Sequence, residues 1–138
     1  MPCLSGQYQP ATGPLVNVGV AKAGTFAASS PPSTITAFPA LLDTGASRTC
    51  SSPTVAQALG LHPVGMRPMV SATHAVAVNV YLVDLVMPFG SAGFVLAATQ
   101  VLEFAPHGPG PFQILVGRDI ICQGTLHISF DGHFTFCL

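Results

Sequence analysis

Glycine and proline divide the sequence into short apolar runs. In two of these runs, Leu15–Val20 and Val76–Val83, apolar residues recur at every second position, which is typical of β-strands. With 14 glycines and 13 prolines, the chain is broken too often for long helices. Further strands are predicted over Ser33–Leu42, Met69–Ala72, Phe94–Leu102, Phe112–Val116, Thr125–Phe130 and His133–Leu138.

Capping and turn residues indicate the remaining elements. A short helix is predicted over Thr54–Gly60, because a serine and Pro53 suit its start and a glycine suits its exit. Asp119 is expected to cap a second short helix. Asp131-Gly132 predicts a two-residue hairpin turn between the last two strands. The prediction is a single all-β domain over residues 1–138.

The composition indicates that this domain associates with a second chain. Charged residues make up only 7% of the sequence and apolar residues 49%, which favours an apolar face buried against a partner. The four basic residues are scattered, so nucleic acid is not expected as a partner. No apolar run is long enough for a membrane span. The N-terminus lacks the features of a signal peptide, and a cytoplasmic location is therefore expected.

The cysteines show no recognisable site pattern. Cys3, Cys50, Cys122 and Cys137 form no CxxC pair and have no histidine at a ligand spacing, so neither zinc nor another metal is expected. Four free thiols in a reducing compartment are the favoured interpretation. A disulfide in an oxidising compartment remains open.

The candidate catalytic residues lie directly after the end of a predicted strand. The apolar strand that finishes at Leu42 leads directly into Asp43-Thr44-Gly45. A carboxylate in this place is held at the edge of a core, and glycine allows a tight turn with close approach of other groups. A second apolar run, Ile114–Val116, also ends in glycine and is followed by Arg118-Asp119. An isolated Asp-Thr-Gly is usually a simple turn, but the two runs together favour a site.

These pieces, in this order, resemble the retropepsins, the single-lobe aspartic proteases of retroviruses and their cellular and bacterial relatives. The matching segments are Gly13–Val18, Ala40–Ala46, Ile114–Asp119 and the C-terminal strand. The resemblance implies a closed or barrel-like all-β fold with one or two short helices, forming one subunit of a two-fold homodimer. It implies a peptide or protein substrate and no cofactor. Residues 1–12 are expected to be flexible or to contact the second subunit.

The chemistry of metal-free peptide hydrolysis also favours a dimer. One carboxylate must act as base toward water and another as acid, and two close carboxylates can share the single proton that this requires. Only Asp43 among the five acidic residues lies in an Asp-Thr-Gly setting. A two-fold dimer would bring Asp43 against its own copy.

The resemblance implies a role for each residue around Asp43. The Thr44 hydroxyl bonds across the dimer axis, the Gly45 carbonyl faces substrate, and Ala46 continues the active-site loop. Gly117, Arg118 and Asp119 support that loop from the second segment, with Asp119 more a helix cap than a catalytic acid. In the viral pattern the arginine pairs with an aspartate just after Asp-Thr-Gly-Ala. Ser47 stands there in this sequence, so the partner of Arg118 is left open.

The hairpin from about Met66 to Val80 corresponds, by the resemblance, to the flap that closes over substrate. No glycine occurs between Val70 and Ala75, which predicts a stiffer or shorter flap. His74 lies at the tip of this hairpin, and it is either a residue that touches substrate or simply an exposed histidine in a turn. The flap residues expected near substrate are Val70, Ser71, Ala72, Thr73 and His74. Candidate pocket residues are Leu41, Val70, Val76, Phe112 and Ile114, with core packing favoured for Leu41 and Ile114.

Two functions remain in view. The first is an endopeptidase that cleaves next to apolar residues at mildly acidic pH through the Asp43 dyad. The second is a dimeric module that binds peptide or protein with little hydrolysis, suggested by the glycine-free flap and by Ser47. A domain that becomes active only after release from a longer precursor is a third, weaker alternative.

Overall fold

The computed structural model describes residues 2–27, 35–70, 73, 75–90, 93–104 and 111–138. Within these residues the chain forms ten β-strands, two short α-helices and one 3-10 turn at Thr25–Ala27. The strands are β1 Cys3–Gln7, β2 Leu15–Lys22, β3 Thr36–Leu42, β4 Cys50–Ser51, β5 Gly65–Val70, β6 Ala75–Met87, β7 Phe94–Glu103, β8 Ile114–Val116, β9 Thr125–Ile128 and β10 His133–Cys137; the helices are α1 Pro53–Leu59 and α2 Arg118–Ile121. The predicted all-β class is confirmed.

Six strands close into a barrel. The larger sheet has the order β2-β3-β8-β4-β7-β6-β5, and an additional pairing of β2 with β6 closes the ring. Its interior is apolar because alternate residues of each strand point inward, as Val18, Ala40, Val83 and Val116 do, all with no exposed surface. The closed, barrel-like fold predicted from the sequence is confirmed.

Strand β5 lies outside this ring and forms a hairpin with the first half of β6. The pairing runs from Gly65 opposite Val80 to Val70 opposite Ala75. The burial of β6 changes along its length, from exposed residues at its start to buried residues in the barrel wall. The hairpin therefore extends from the barrel as an arm. Of its tip, Ser71, Ala72 and His74 lie outside the described residues, and Thr73 is exposed.

A buried carboxylate accompanies the irregularity in β6. The register between β6 and β7 shifts between Val83 and Leu85. Asp84 lies there with no exposed surface. Its two oxygens accept hydrogen bonds from the backbone N–H groups of Phe26 at 3.2 Å and Ala98 at 2.9 Å. Because a buried carboxylate needs such partners, Asp84 is structural.

The chain ends form a second, three-stranded antiparallel sheet in the order β1-β10-β9. Cys3 lies opposite Cys137 in this sheet, and a disulfide joins the two. The prediction of four free thiols is therefore wrong for this pair, while Cys50 and Cys122 are free. The pairing of two terminal strands leaves no signal in the linear spacing of cysteines. Bonds of this kind persist in oxidising compartments; the cytoplasmic location stays a prediction.

Two local predictions need correction. The last hairpin turns over Ser129–Gly132, two residues longer than predicted, and the Ser129 N–H donates to the His133 carbonyl at 2.8 Å. Asp119 lies in the first turn of α2, where its Oδ1 accepts a hydrogen bond from the Ile120 N–H at 3.0 Å, but it is not the N-cap residue. The N-cap is Gly117, which has no side chain to donate or accept. Helix α1 spans Pro53–Leu59, one residue earlier at each end than predicted, with Pro53 in its first turn and Gly60 in a left-handed conformation at its exit.

Candidate active site

Parallel pairing of β3 with β8 brings the two sequence segments together. Leu42 lies opposite Val116, so both strands end at the same edge of the barrel. The backbone N–H of Asp43 continues this ladder by donating to the Val116 carbonyl at 2.9 Å. Asp43 therefore leaves β3 beside Gly117, the residue that follows β8. This contact brings two motifs that are far apart in sequence to the same edge of the barrel.

The Asp43 side chain is half-buried and oriented by its own loop. Its Oδ1 accepts a hydrogen bond from the Gly45 N–H at 2.8 Å, and its carbonyl accepts one from the Ala46 N–H at 3.2 Å. A Cβ on Gly45 would lie 3.1 Å from the same Oδ1. Glycine thus gives the carboxylate room, and the turn holds it in one orientation.

The loop that follows Asp43 crosses the segment after β8 with very little space between the backbones. A Cβ on Gly117 would lie 2.6 Å from the carbonyl carbon and oxygen of Arg48 and 3.0 Å from the Ala46 oxygen. The Gly117 N–H donates to the Thr49 hydroxyl at 3.1 Å, and the Arg118 N–H donates to the Ala46 carbonyl at 2.8 Å. Gly117 supports the loop because it lacks a side chain.

Asp119 clamps the same loop. Its carboxylate accepts hydrogen bonds from the Thr49 N–H at 3.0 Å and the Thr49 hydroxyl at 2.7 Å. Thr49 has no exposed surface, so these bonds satisfy groups that have lost contact with water. Asp119 therefore acts on the residue that anchors the far end of the Asp43 loop.

The partner of Arg118, which the sequence left open, is a backbone group. Its Nη1 donates to the Thr44 carbonyl at 2.8 Å. This bond ties the start of α2 to the residue after Asp43 without needing an acid at position 47, where Ser47 stands. Thr44 and Gly45 are exposed at this edge of the barrel.

A cleft of about 380 Å³ lies between the Asp43 loop and strand β5. One wall comes from the loop and β4, and the other from the outer hairpin. The lining residues are Ala46, Ser47, Arg48, Cys50, Arg67, Pro68, Met69, Val70 and Leu102. Asp43 lies three residues before the first of them.

Of the five residues predicted to form pockets, only Val70 lines this cleft. Ile114 is buried in the core, Leu41 and Phe112 are half-buried, and Phe112 packs near Phe104 with ring centroids 6.3 Å apart. Val76 is exposed on the hairpin. Sequence reasoning missed Arg48, Cys50 and Leu102, and it placed Arg67, Pro68 and Met69 in the predicted hairpin without naming them as lining residues. Arg48 and Cys50 follow Asp43 closely enough that continuing the loop past Ser47 would have included them.

Cys50 is a second reactive group at this cleft, but it is held as a neutral thiol. Burial, reinforced by the charges of Asp119 and Asp43, raises its pKa from 9.0 to about 11. Its thiol donates to the Arg48 carbonyl at 3.3 Å. Nucleophilic catalysis needs the thiolate, so this geometry does not support a cysteine protease.

The raised pKa of Cys50 predicts a stability change at alkaline pH. A thiol with a pKa of 9.0 when unfolded and about 11 when folded stabilises the fold below pH 9, and this contribution is lost as the pH rises through 11. The unfolding free energy of the wild type should therefore fall between about pH 8 and 11. In Cys50→Val we expect this fall to be smaller by roughly 2 kcal/mol. Urea unfolding at a series of pH values measures it. Cys122→Ala, which removes an exposed thiol, is the control; equal slopes in both variants would contradict the assignment.

Two other kinds of site are not found in the part of the chain that the structure describes. No helix there is long and apolar enough to cross a membrane. No group of three or more histidine, cysteine, aspartate or glutamate side chains is arranged to hold a metal ion among the same residues.

Comparisons with known proteins agree with this geometry. Residues 35–120 match a family model described as aspartyl protease, and this range includes Asp43, Gly117 and Asp119. A crystal structure of a retropepsin-like aspartic protease from Rickettsia conorii is similar in fold, with a TM-score of 0.62 and 13% sequence identity over 97% of this chain and 89% of that one. No curated protein sequence matches the chain.

Proposed function

Because the chain belongs to the aspartyl protease family, we propose that it is an aspartic endopeptidase that works as a homodimer, with Asp43 of each subunit forming the catalytic pair. The observation that carries this proposal is the Asp43 loop. It presents a half-buried, oriented carboxylate at one edge of the barrel beside an open cleft.

The second carboxylate has to come from another chain. Each of the other acids is engaged elsewhere: Asp84 with backbone N–H groups, Glu103 with the Tyr81 hydroxyl, Asp119 with Thr49 and Asp131 with Ser129 and His133. A two-fold axis next to Asp43 would place two identical carboxylates together. Their mutual repulsion keeps one proton on the pair.

The reaction then follows from that shared proton. The ionised Asp43 takes a proton from a water molecule, which attacks the peptide carbonyl carbon. The protonated Asp43 of the second subunit gives its proton to the carbonyl oxygen, so that a tetrahedral diol forms. As the C–N bond breaks, the first Asp43 passes the proton taken from water to the leaving amine, and a hydroxyl of the diol returns a proton to the second Asp43, which restores the shared proton. No cofactor is needed for these steps.

Other residues position the pair. Thr44 is exposed beside Asp43, where its hydroxyl can bond to the second subunit. Gly117, Arg118 and Asp119 fix the loop through the contacts described above. The β5–β6 hairpin, which carries Val70 and Thr73, would serve as the flap over the cleft; the roles predicted for Ser71, Ala72 and His74 concern residues outside the described part of the chain.

Dependence on a second chain is testable by dilution. Activity per chain should fall steeply when the protein is diluted below its dimer dissociation constant, because half a site cannot share a proton between two carboxylates. Peptide cleavage and sedimentation velocity should show the same midpoint concentration. An active, strictly monomeric protein would contradict the dyad.

A dimeric peptide-binding module is the second candidate. It is favoured by the glycine-free sequence between Val70 and Ala75 and by Ser47 in place of an acid. A peptide library and a pepstatin-type inhibitor separate the two functions. Tight binding of inhibitor and peptides with no cleavage at any pH between about 4 and 7 would favour the module.

A further inference from the structure

The cleft beside Asp43 contains an unusual share of the chain's positive charge. Arg48 and Arg67 line it, and they are two of only four basic residues in the sequence. None of the five acids is among its lining residues. The cleft therefore carries positive charge, although the net charge of the whole chain is −1.

The two guanidinium groups have no anionic partner in the described ranges. The ion pair found there joins His133 to Asp131 in the terminal sheet, and no hydrogen bond from either arginine side chain is formed among the same residues. Both arginines are exposed. Arginine groups without a partner present planar, bidentate donors that match a carboxylate.

Both arginines are carried on well-positioned backbone. Arg48 lies between Ser47 and the clamped Thr49, with its carbonyl held against Gly117 and the Cys50 thiol. Arg67 lies two positions before Met69 on β5, so the two share a face of the strand. Met69 packs against the buried cluster of Cys50, Val80 and Leu102. This places Arg67 on the side of β5 that faces the cleft.

The rest of the lining is apolar or neutral. Met69, Val70, Pro68 and Leu102 provide walls for the methylene groups of a side chain, and the raised pKa keeps the Cys50 thiol uncharged. A cationic rim on an apolar pocket suits a side chain with an aliphatic stem and a terminal carboxylate. Glutamate has this shape, and a purely apolar residue would leave the charges unmatched.

We infer that Arg48 and Arg67 make this cleft a specificity pocket for an acidic side chain, glutamate before aspartate, in the peptide substrate. The inference rests on the proposed protease function and adds a substrate class to it. The sequence led us to expect apolar residues on both sides of the scissile bond. The inference changes this expectation, because one substrate residue near that bond should be acidic.

The test uses matched peptides. Each contains an apolar scissile pair, and a single glutamate or its isosteric, neutral counterpart glutamine is placed in turn at every neighbouring position. At about pH 6 the glutamate is ionised. We expect kcat/KM to be about tenfold higher for glutamate at one position, and the difference to shrink at about 1 M salt because exposed charges are screened.

Variants assign the preference to the arginines. Arg48→Gln and Arg67→Gln should each reduce the ratio of kcat/KM between the glutamate and glutamine peptides several-fold, whatever their effect on the glutamine peptide itself. Arg67→Lys, which keeps the charge but not the fork of donors, should retain part of it. Lys22→Gln removes one positive charge from an exposed position outside the cleft and is the control for net charge. It should behave as the wild type.

The outcomes separate this inference from the proposed function. Cleavage with no preference for glutamate at any position would overturn the inference and leave the protease assignment intact. A glutamate preference that is unchanged in both Arg48→Gln and Arg67→Gln would have the same meaning. If nothing is cleaved, the protease assignment fails, and fluorescence anisotropy with the same labelled peptides decides the inference. Tighter binding of glutamate peptides, lost in Arg67→Gln, supports it; equal binding overturns it.

Discussion

Asp43→Asn is expected to lower kcat/KM for peptide cleavage by about four orders of magnitude while leaving the fold and the dimer intact. Asparagine keeps the size of the side chain and an oxygen that can accept the Gly45 N–H bond seen at 2.8 Å. It cannot take a proton from water or share one with its copy. Initial rates on a peptide substrate, a thermal melt and sedimentation velocity measure the three properties.

Asp131→Asn is the matched control for this change. Asp131 lies in the exposed β9–β10 turn, where it bonds with Ser129 and His133. This turn belongs to the three-stranded sheet and not to the barrel edge that carries Asp43. It should keep full activity. Wild-type rates in Asp43→Asn would exclude the proposed mechanism.

Mixing the two kinds of subunit tests the shared site directly. When wild-type and Asp43→Asn chains are mixed equally and exchange at random, about one quarter of the dimers carry two aspartates. Activity should fall to about one quarter of that of wild type at the same total chain concentration. A fall to one half would mean that each chain works alone.

Gly117→Ala is expected to reduce the unfolding free energy by about 3 kcal/mol and to impair activity in whatever fraction remains folded. Gly117 has φ −92° and ψ −175°, a conformation that alanine readily adopts. The effect is therefore steric. The added methyl carbon would lie 2.6 Å from two backbone atoms of Arg48, and backbone cannot rotate away as a flexible side chain can.

Gly65→Ala provides the comparison, because a Cβ on Gly65 meets no atom within 4 Å. It should change stability by less than about 0.5 kcal/mol. Urea unfolding of both variants, with peptide cleavage in parallel, measures the difference. Equal stability of the two variants would mean that the loop crossing at Gly117 relaxes easily and does not hold Asp43 in place.

Much of the fold could be predicted because its signals are local. Alternation in Leu15–Val20 and Val76–Val83 depends on neighbouring residues, and the structure confirms strands at both. The Asp43 and Gly117 segments were recognisable for the same reason, as apolar strands ending in glycine-containing turns. Parallel pairing of β3 with β8 then places them together.

The contacts that hold the site could not be predicted in this way. Arg118 binds a backbone carbonyl, which every residue has, so no residue type marks its partner. Asp119 binds Thr49 from 70 residues away, and its position after a strand resembles an ordinary helix cap. Arg67 reaches the cleft only because β5 folds back along β6. Each of these contacts depends on chain crossings that sequence spacing does not encode.

The Cys3–Cys137 bond has a practical consequence for any test of peptide cleavage. The two cysteines are 134 positions apart, so the bond encloses residues 3–137 in one covalent ring. A single cut in any loop between them, including a cut that the protein makes in its own chain, opens the ring but releases no fragment. A nicked molecule would therefore keep its mass apart from one added water and would separate into two pieces only after reduction.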